Sequence, residues 1–233
     1  MQKFKKFIPI LIIIILMVAV YFSGVLQYFT FEKLQLHRQQ ILELVSDRFF
    51  LSSALFISLY IVVAALSLPI GALLSITGGF LFSQPFSTIY IVIGASIGAS
   101  IIFLAAKTAL GDILKKNSEG LLAKIEAGFR KDGVSYLLFV RLVPIFPFWL
   151  INLAAAFLGV PFRTFFWTTF VGIIPGTFVF SQAGAGLGAI LDANEGFSIH
   201  GIFNWQVKIA LIALGIFALI PIVIKKFKKN GLE

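Results

Sequence analysis

Apolar residues fill Ile8 to Phe29 almost without interruption, behind the basic start MQKFKKF. This run of 22 residues exceeds the ~7–15 of a signal-peptide core and matches the ~20 of a bilayer crossing. The pattern predicts a retained N-terminal transmembrane anchor over 1–29. Polar residues return over 30–48, where Leu34, Ile41, Leu42, Val45 and Phe49 recur at helical spacing. That spacing predicts an amphipathic helix lying on the membrane surface.

From Phe49 to Ala106 no residue is charged, and these 58 residues are too many for two ordinary spans of ~20. The segment is therefore expected to fold back inside the membrane. The break is placed at the SLPIG stretch, Ser67 to Gly71, because proline lacks an amide donor and pushes the residue before it out of helix. It leaves a second arm, Ala72 to Phe82, too short to cross, and then a full span over Phe86 to Ala106. Lys107 to Asp132 is polar and basic with Leu114, Leu121, Leu122, Ile125 and Phe129 on one side, which predicts a second surface helix. Gly133 to Val160 is apolar except for Arg141 and is broken by Pro144 and Pro147. Phe165 to Gln182 is expected to span with a kink at Pro175-Gly176. Trp205 to Ile224 spans last (205–224), ahead of a basic tail over 225–233.

The chain also repeats itself. Pro69 and Pro147 lie 78 residues apart, Phe80-Leu81 and Phe157-Leu158 lie 77 apart, and Pro85-Phe86-x-Thr88 returns 76 later as Pro161-Phe162-x-Thr164. Gly94-xxx-Gly98 matches Gly172-xxx-Gly176, again at 78. Each unit is a proline-broken apolar hairpin, a PF-x-T link and a glycine-bearing span, the internal symmetry many transporters carry.

Composition and charge narrow the class. The chain is 59% hydrophobic and 12% charged, about half the charge of a soluble domain, so it reads as an integral membrane protein. It has no cysteine and only two histidines, His37 and His200, which leaves no thiol chemistry and too few ligands for an ordinary zinc centre. No cofactor or metal is expected. The net charge of +9 sits in clusters beside apolar runs rather than on a face of its own, which fits topology and anionic lipid better than nucleic acid. With the three clusters (Lys3 to Lys6, Lys107 to Lys131, Lys225 to Lys229) all cytoplasmic, and Arg163 counted with them, 14 basic residues lie inside and four outside. That requires two re-entrant hairpins entering from opposite sides and about four full crossings. Six or seven full spans would strand a basic cluster outside or leave arms too short. The expected fold class is thus an all-α polytopic membrane protein, an inverted repeat of re-entrant helical hairpin plus transmembrane helix.

Arg141 is the sharpest chemical signal. A charge at the centre of a membrane helix costs ~2.5–3.5 kcal/mol on insertion scales and faces a partner or a watery cavity. No Asp or Glu lies between Phe49 and Gly111 or between Gly133 and Leu191. The partner is then a carbonyl, a water, an edge residue such as Asp132, or a ligand. The guanidinium fork suits phosphate oxygens, which makes a lipid phosphate one reading; capping of carbonyls at the Pro144 break, or snorkelling to the surface, is the other. Pro69, Gly71, Pro144 and Pro147 imply a cavity at mid-membrane if they form the hairpin tips. Asn152, one short arm beyond, is read as a partner for freed backbone groups or as a substrate contact. Arg163 reads as an interfacial anchor, and the glycine-rich Ser181 to Gly188 as helix packing, since no Lys-Ser/Thr follows.

With the FVRLVPIFPFWLIN hairpin, the PF-R-TF link and the GIIPGTF span in view, the stretch from about Phe49 to Leu191 (49–191) resembles the DedA superfamily, also called the VTT-domain or SNARE-associated Golgi protein family. Within it, Phe139-x-Arg141-x-x-Pro144-x-x-Pro147 followed by Asn152 resembles the branch that includes the endoplasmic-reticulum lipid scramblases and their bacterial relatives. The resemblance implies two facing re-entrant loops and movement of lipids, phospholipid or undecaprenyl phosphate, across a bilayer. It carries over Arg141, Pro144 and Pro147 by position. Proton-coupled members carry acidic residues in or near the first hairpin, and this one has none, so the resemblance does not extend to proton coupling.

The leading expectation is a scramblase or flippase whose partners are lipids with anionic headgroups, with no nucleic acid and no enzymatic chemistry. A small-solute or ion transporter and a membrane-shaping structural protein are the alternatives. The expected location is a bacterial plasma membrane, multi-pass with both termini cytoplasmic, or else an endoplasmic reticulum or Golgi membrane. Oligomeric state is not legible.

Overall fold

The computed structural model describes residues 7–24, 36–116, 121–142 and 146–192. These residues fold as nine helices, in keeping with the all-helical reading. The predicted last span, the basic tail and Pro144 lie outside the described residues.

Helix α1 (Ile8–Phe22) closes at Ser23, Gly24 takes a positive φ, and the rest of the predicted anchor, 25–29, lies outside the described residues. Helix α2 (Arg38–Asp47) meets α3 (Phe49–Ala65) at a bend of 113°. On α2, Val45 is buried in the core and Ile41 packs against it, while Leu44 stays exposed.

After α3 the chain breaks at Leu66 to Ile70, as the SLPIG stretch predicts, and resumes as α4 (Gly71–Leu81). Helix α5 (Phe86–Lys116) begins at the PF-x-T link. Helix α6 (Leu121–Leu142), kinked at Asp132, leads to the second break, and α7 (Phe148–Phe157) leaves it. Helix α8 (Phe162–Gly172) and α9 (Ile174–Asp192) form one interrupted span. The interruption falls at Ile173, just ahead of Pro175, whose missing N–H removes the bond that would have continued the helix.

The predicted second surface helix is corrected. Residues 107–116 continue α5, whereas from Leu121 a helix runs to a non-helical Asp132, which separates it from the first arm of the second hairpin at the boundary the sequence predicts. Lys107 does not end its helix because its ammonium has a place to go: Nζ donates to the Val160 carbonyl at 2.8 Å and lies 5.4 Å from the Phe103 ring centre.

Only two described segments are long and apolar enough to cross a bilayer, 86–109 and 162–186, with α2 and α3 as a bent third. Helices α4 and α7, at 11 and 10 residues, reach ~15 Å at 1.5 Å per residue, half of a ~30 Å hydrocarbon core. They are the short arms of the two hairpins. The first arm of each hairpin packs on its own unit's span, α3 on α5 and α6 on α8, while the second arm packs on the other unit's span, α4 on α9 and α7 on α5. The crossings are close because glycines line them. A Cβ on Gly98 would meet Ala64 and the Ile61 carbonyl, and a Cβ on Gly79 or Gly184 would collide with the carbonyl of Ser181 or Ile76 respectively. The glycine-rich stretch from Ser181 therefore serves helix packing.

Helix α5 joins two cores. Its first half packs Ile91, Val92 and Ala95 with Phe56, Leu74 and Phe82 of the first hairpin. Its second half stacks Phe103 on Phe165 at 4.1 Å and packs against Leu137 and Ala156 of the second unit. Large apolar side chains stay exposed outward, among them Leu11, Ile15, Phe50, Leu55, Trp167 and Phe178, the surface expected of a protein solvated by lipid.

Candidate functional site

Arg141 stands at the end of α6, and three elements place it. Gly172 of α8 gives its stem room, since a Cβ there would come within 2.8 Å of the Arg141 Cβ. Thr169, one turn earlier on α8, and Asn152 on α7 supply acceptors. Nη2 of Arg141 donates to Asn152 Oδ1 at 2.7 Å and to Thr169 Oγ1 at 2.9 Å. The guanidinium lies 4.7 Å from the Phe148 ring centre and 5.4 Å from that of Phe165, both within cation–π range.

All of these partners are neutral. Arg141 is 8% exposed, yet its Nε and Nη1 are buried without a hydrogen-bond partner among the described residues. Hydrogen bonds to uncharged oxygens orient a guanidinium but leave its positive charge uncompensated.

Arg141 also lines a cavity of about 450 Å³ between the two helix breaks. The first hairpin contributes Tyr60, Ser67, Pro69, Gly71 and Ser75 to its wall, and the second contributes Pro147, Phe148 and Trp149. Most of the wall is apolar, with hydroxyls at Tyr60, Ser67, Ser75 and Thr177. The Tyr60 hydroxyl and Ser75 Oγ are 2.9 Å apart, and each reaches the Gly71 carbonyl, which ties the first hairpin's arms together.

Of the residues singled out in the sequence, Arg141, Pro147, Pro69 and Gly71 come together around this cavity. Asn152 is fully buried behind Arg141 and holds it; its acceptor serves the guanidinium rather than freed backbone. Arg163 is exposed near the start of α8 and takes no part in the cavity wall. Thr169 was not foreseen, and neither was Ser67 as a wall residue. The only sequence signal for Thr169 is a hydroxyl pair, Thr168-Thr169, inside an apolar span, where each polar group needs a partner.

A helical membrane protein with two broken hairpins meeting at a cationic, mostly apolar cavity is the class that the fold and site define. The VTT domain model matches residues 68–186, just over half of the chain, and the chain belongs to the VTT-domain (DedA/SNARE-associated) family. Its relatives include the Transmembrane protein 41 homolog of Caenorhabditis elegans, 29% identical over 75% of this chain and 70% of that protein. Transmembrane protein 41B of Xenopus tropicalis and of Homo sapiens are each 26% identical over 83% of this chain, covering 69% and 66% of those proteins. No solved structure matches the chain.

Proposed function

We propose that this protein is a lipid transporter of the scramblase or flippase kind, passing a phosphate-bearing headgroup through the cavity between its hairpins. One observation carries the reading: a buried arginine with two nitrogens unpartnered among the described residues and no acidic neighbour in the wall it shares with both helix breaks. Uncompensated positive charge in a low-dielectric wall attracts an anion, and guanidinium binds phosphate oxygens with two parallel bonds. The apolar remainder of the wall favours a lipid over a hydrated ion. The protein acts without covalent chemistry, its partners are anionic-headgroup lipids, and a bacterial plasma membrane with both termini cytoplasmic accommodates the basic clusters.

Reconstitution in liposomes with headgroup-labelled phospholipids and an undecaprenyl phosphate analogue tests this. Arg141→Ala is expected to abolish transport, and Arg141→Lys to recover only part, because lysine keeps the charge but loses the fork. A well-folded Arg141→Ala protein that moves anionic lipid at the wild-type rate would refute the mechanism. Loss of stability with transport per folded molecule intact would reduce Arg141 to a structural role.

A further inference from the structure

Three described residues have a left-handed backbone, Gly24 (φ 71°), Gly159 (φ 69°) and Ser67 (φ 55°). The last two end helices in the same way. At the end of α7, the Gly159 N–H donates to the Ala156 carbonyl at 3.2 Å and the Val160 N–H to the Ala155 carbonyl at 3.1 Å. At the end of α3, the Ser67 N–H donates to Ala64 at 3.2 Å and the Leu68 N–H to Val63 at 3.0 Å. This paired closure is the Schellman motif, and its left-handed position favours glycine because a Cβ is strained there. The chain uses glycine at the end of α7 and serine at the tip of the first hairpin.

The backbone gains nothing from that serine. Its hydroxyl has no internal task either, since Ser67 Oγ is buried and has no hydrogen-bond partner among the described residues. Ser67 nevertheless lines the cavity that Arg141 lines from the opposite hairpin. We propose that Ser67 is a ligand contact: its hydroxyl donates to the phosphate oxygens whose charge Arg141 offsets, so that the headgroup is held by one group from each hairpin. Contact with a ligand requires the hydroxyl to turn out of its buried position toward the cavity that Ser67 lines. This inference rests on the lipid-transport reading and adds to it the first hairpin's binding group.

The test exploits the strain. Ser67→Gly relieves the backbone and removes the hydroxyl, so it is expected to raise the melting temperature of the full chain while lowering transport of a phosphate-bearing lipid by roughly ten- to a hundredfold, the scale of one hydrogen bond to a charged group. Ser67→Asn, which tolerates the left-handed conformation and keeps a donor, is expected to restore a substantial part of the rate. A Ser67→Gly protein that is more stable and transports at the wild-type rate would overturn the proposal and leave the lipid reading standing, provided that Arg141→Ala is inactive beside it. Parallel liposomes loaded with inorganic phosphate distinguish the source of the anion. Phosphate efflux sensitive to Ser67→Gly, with no lipid movement by the wild type, would refute the lipid reading and retain Ser67 as an anion contact. A wild type that moves neither would refute both.

Discussion

The bond from Arg141 to Asn152 makes a quantitative prediction. Asn152→Leu keeps the branched shape and the number of heavy atoms, so it opens no cavity, but it removes the 2.7 Å acceptor from a guanidinium that is 8% exposed. A hydrogen bond to a charged group contributes ~1.5–3 kcal/mol, and leaving a buried donor unsatisfied forfeits it. At roughly 2–4 °C per kcal/mol for a chain of this size, Asn152→Leu should lower the melting temperature by roughly 3–12 °C. Arg141→Met removes the other partner and should also destabilise the protein, because Asn152 is fully buried and loses its partner. The double variant then has neither of these two orphans and takes the guanidinium only from the Thr169 hydroxyl. Replacing both members of a buried polar pair with apolar groups is often close to neutral, so the double variant should be no worse than the poorer single, with a coupling of ~1.5–3 kcal/mol. Melting in detergent, followed by intrinsic tryptophan fluorescence, reads all four corners of the cycle. Single effects that simply add, to within ~0.5 kcal/mol, would show that the two side chains are not energetically joined and refute the placement of Arg141.

Two further outcomes are expected. Gly79→Ala and Gly184→Ala each drive a methyl into a backbone carbonyl at the α4–α9 crossing and should sharply reduce folded yield, whereas Gly186→Ala, with open space around its Cβ, should be silent; equal yields for all three, measured by size-exclusion chromatography, would refute the close crossing. The native chain has no cysteine, so Ser118→Cys should be labelled only from the cytoplasmic side and Asn194→Cys only from outside, an expectation that rests on the basic clusters because both positions lie outside the described residues; reversed labelling would invert the orientation.

The parts of this fold that were legible in the sequence are those fixed by local chemistry. Pro69 breaks a helix wherever its neighbours lie, and a charge-free stretch of 58 residues cannot avoid folding back. Arg141 was legible as an anomaly for the same reason. The identity of its partners was not, because Asn152 and Thr169 are 11 and 28 residues away and meet it only through the packing of α6, α7 and α8. The second surface helix failed for a different reason. The charge at Lys107 predicts a helix end there, but charge reports where a segment meets water or a carbonyl, not where its backbone stops being helical. Here the Val160 carbonyl receives the ammonium and α5 continues.

The repeat itself supports a last prediction. At the spacing of 78 that relates Pro69 to Pro147 and Gly94 to Gly172, Arg141, Asn152 and Thr169 correspond to Val63, Leu74 and Ile91. All three counterparts are buried in the apolar cluster of the first hairpin. The packing follows the same register, since Gly94 receives Tyr60 as Gly172 receives Leu138 and Arg141. The two units therefore share a backbone plan and differ in what they place beside the cavity: one supplies a cation with its neutral acceptors, the other supplies hydroxyls at Tyr60, Ser67 and Ser75. Moving the charge across the pseudo-symmetry axis, with Val63→Arg in an Arg141→Val background, should then fail to restore transport. Val63 lines the same cavity, but an arginine there would find Leu74 and Ile91 where Arg141 finds an amide and a hydroxyl, and an unsupported cation at membrane depth costs ~2.5–3.5 kcal/mol. The melting temperature of the swapped protein should fall below that of Arg141→Val alone. Recovery of anionic-lipid transport by the swap would mean that net charge in the cavity suffices, and that the three-helix setting of Arg141 contributes nothing to function.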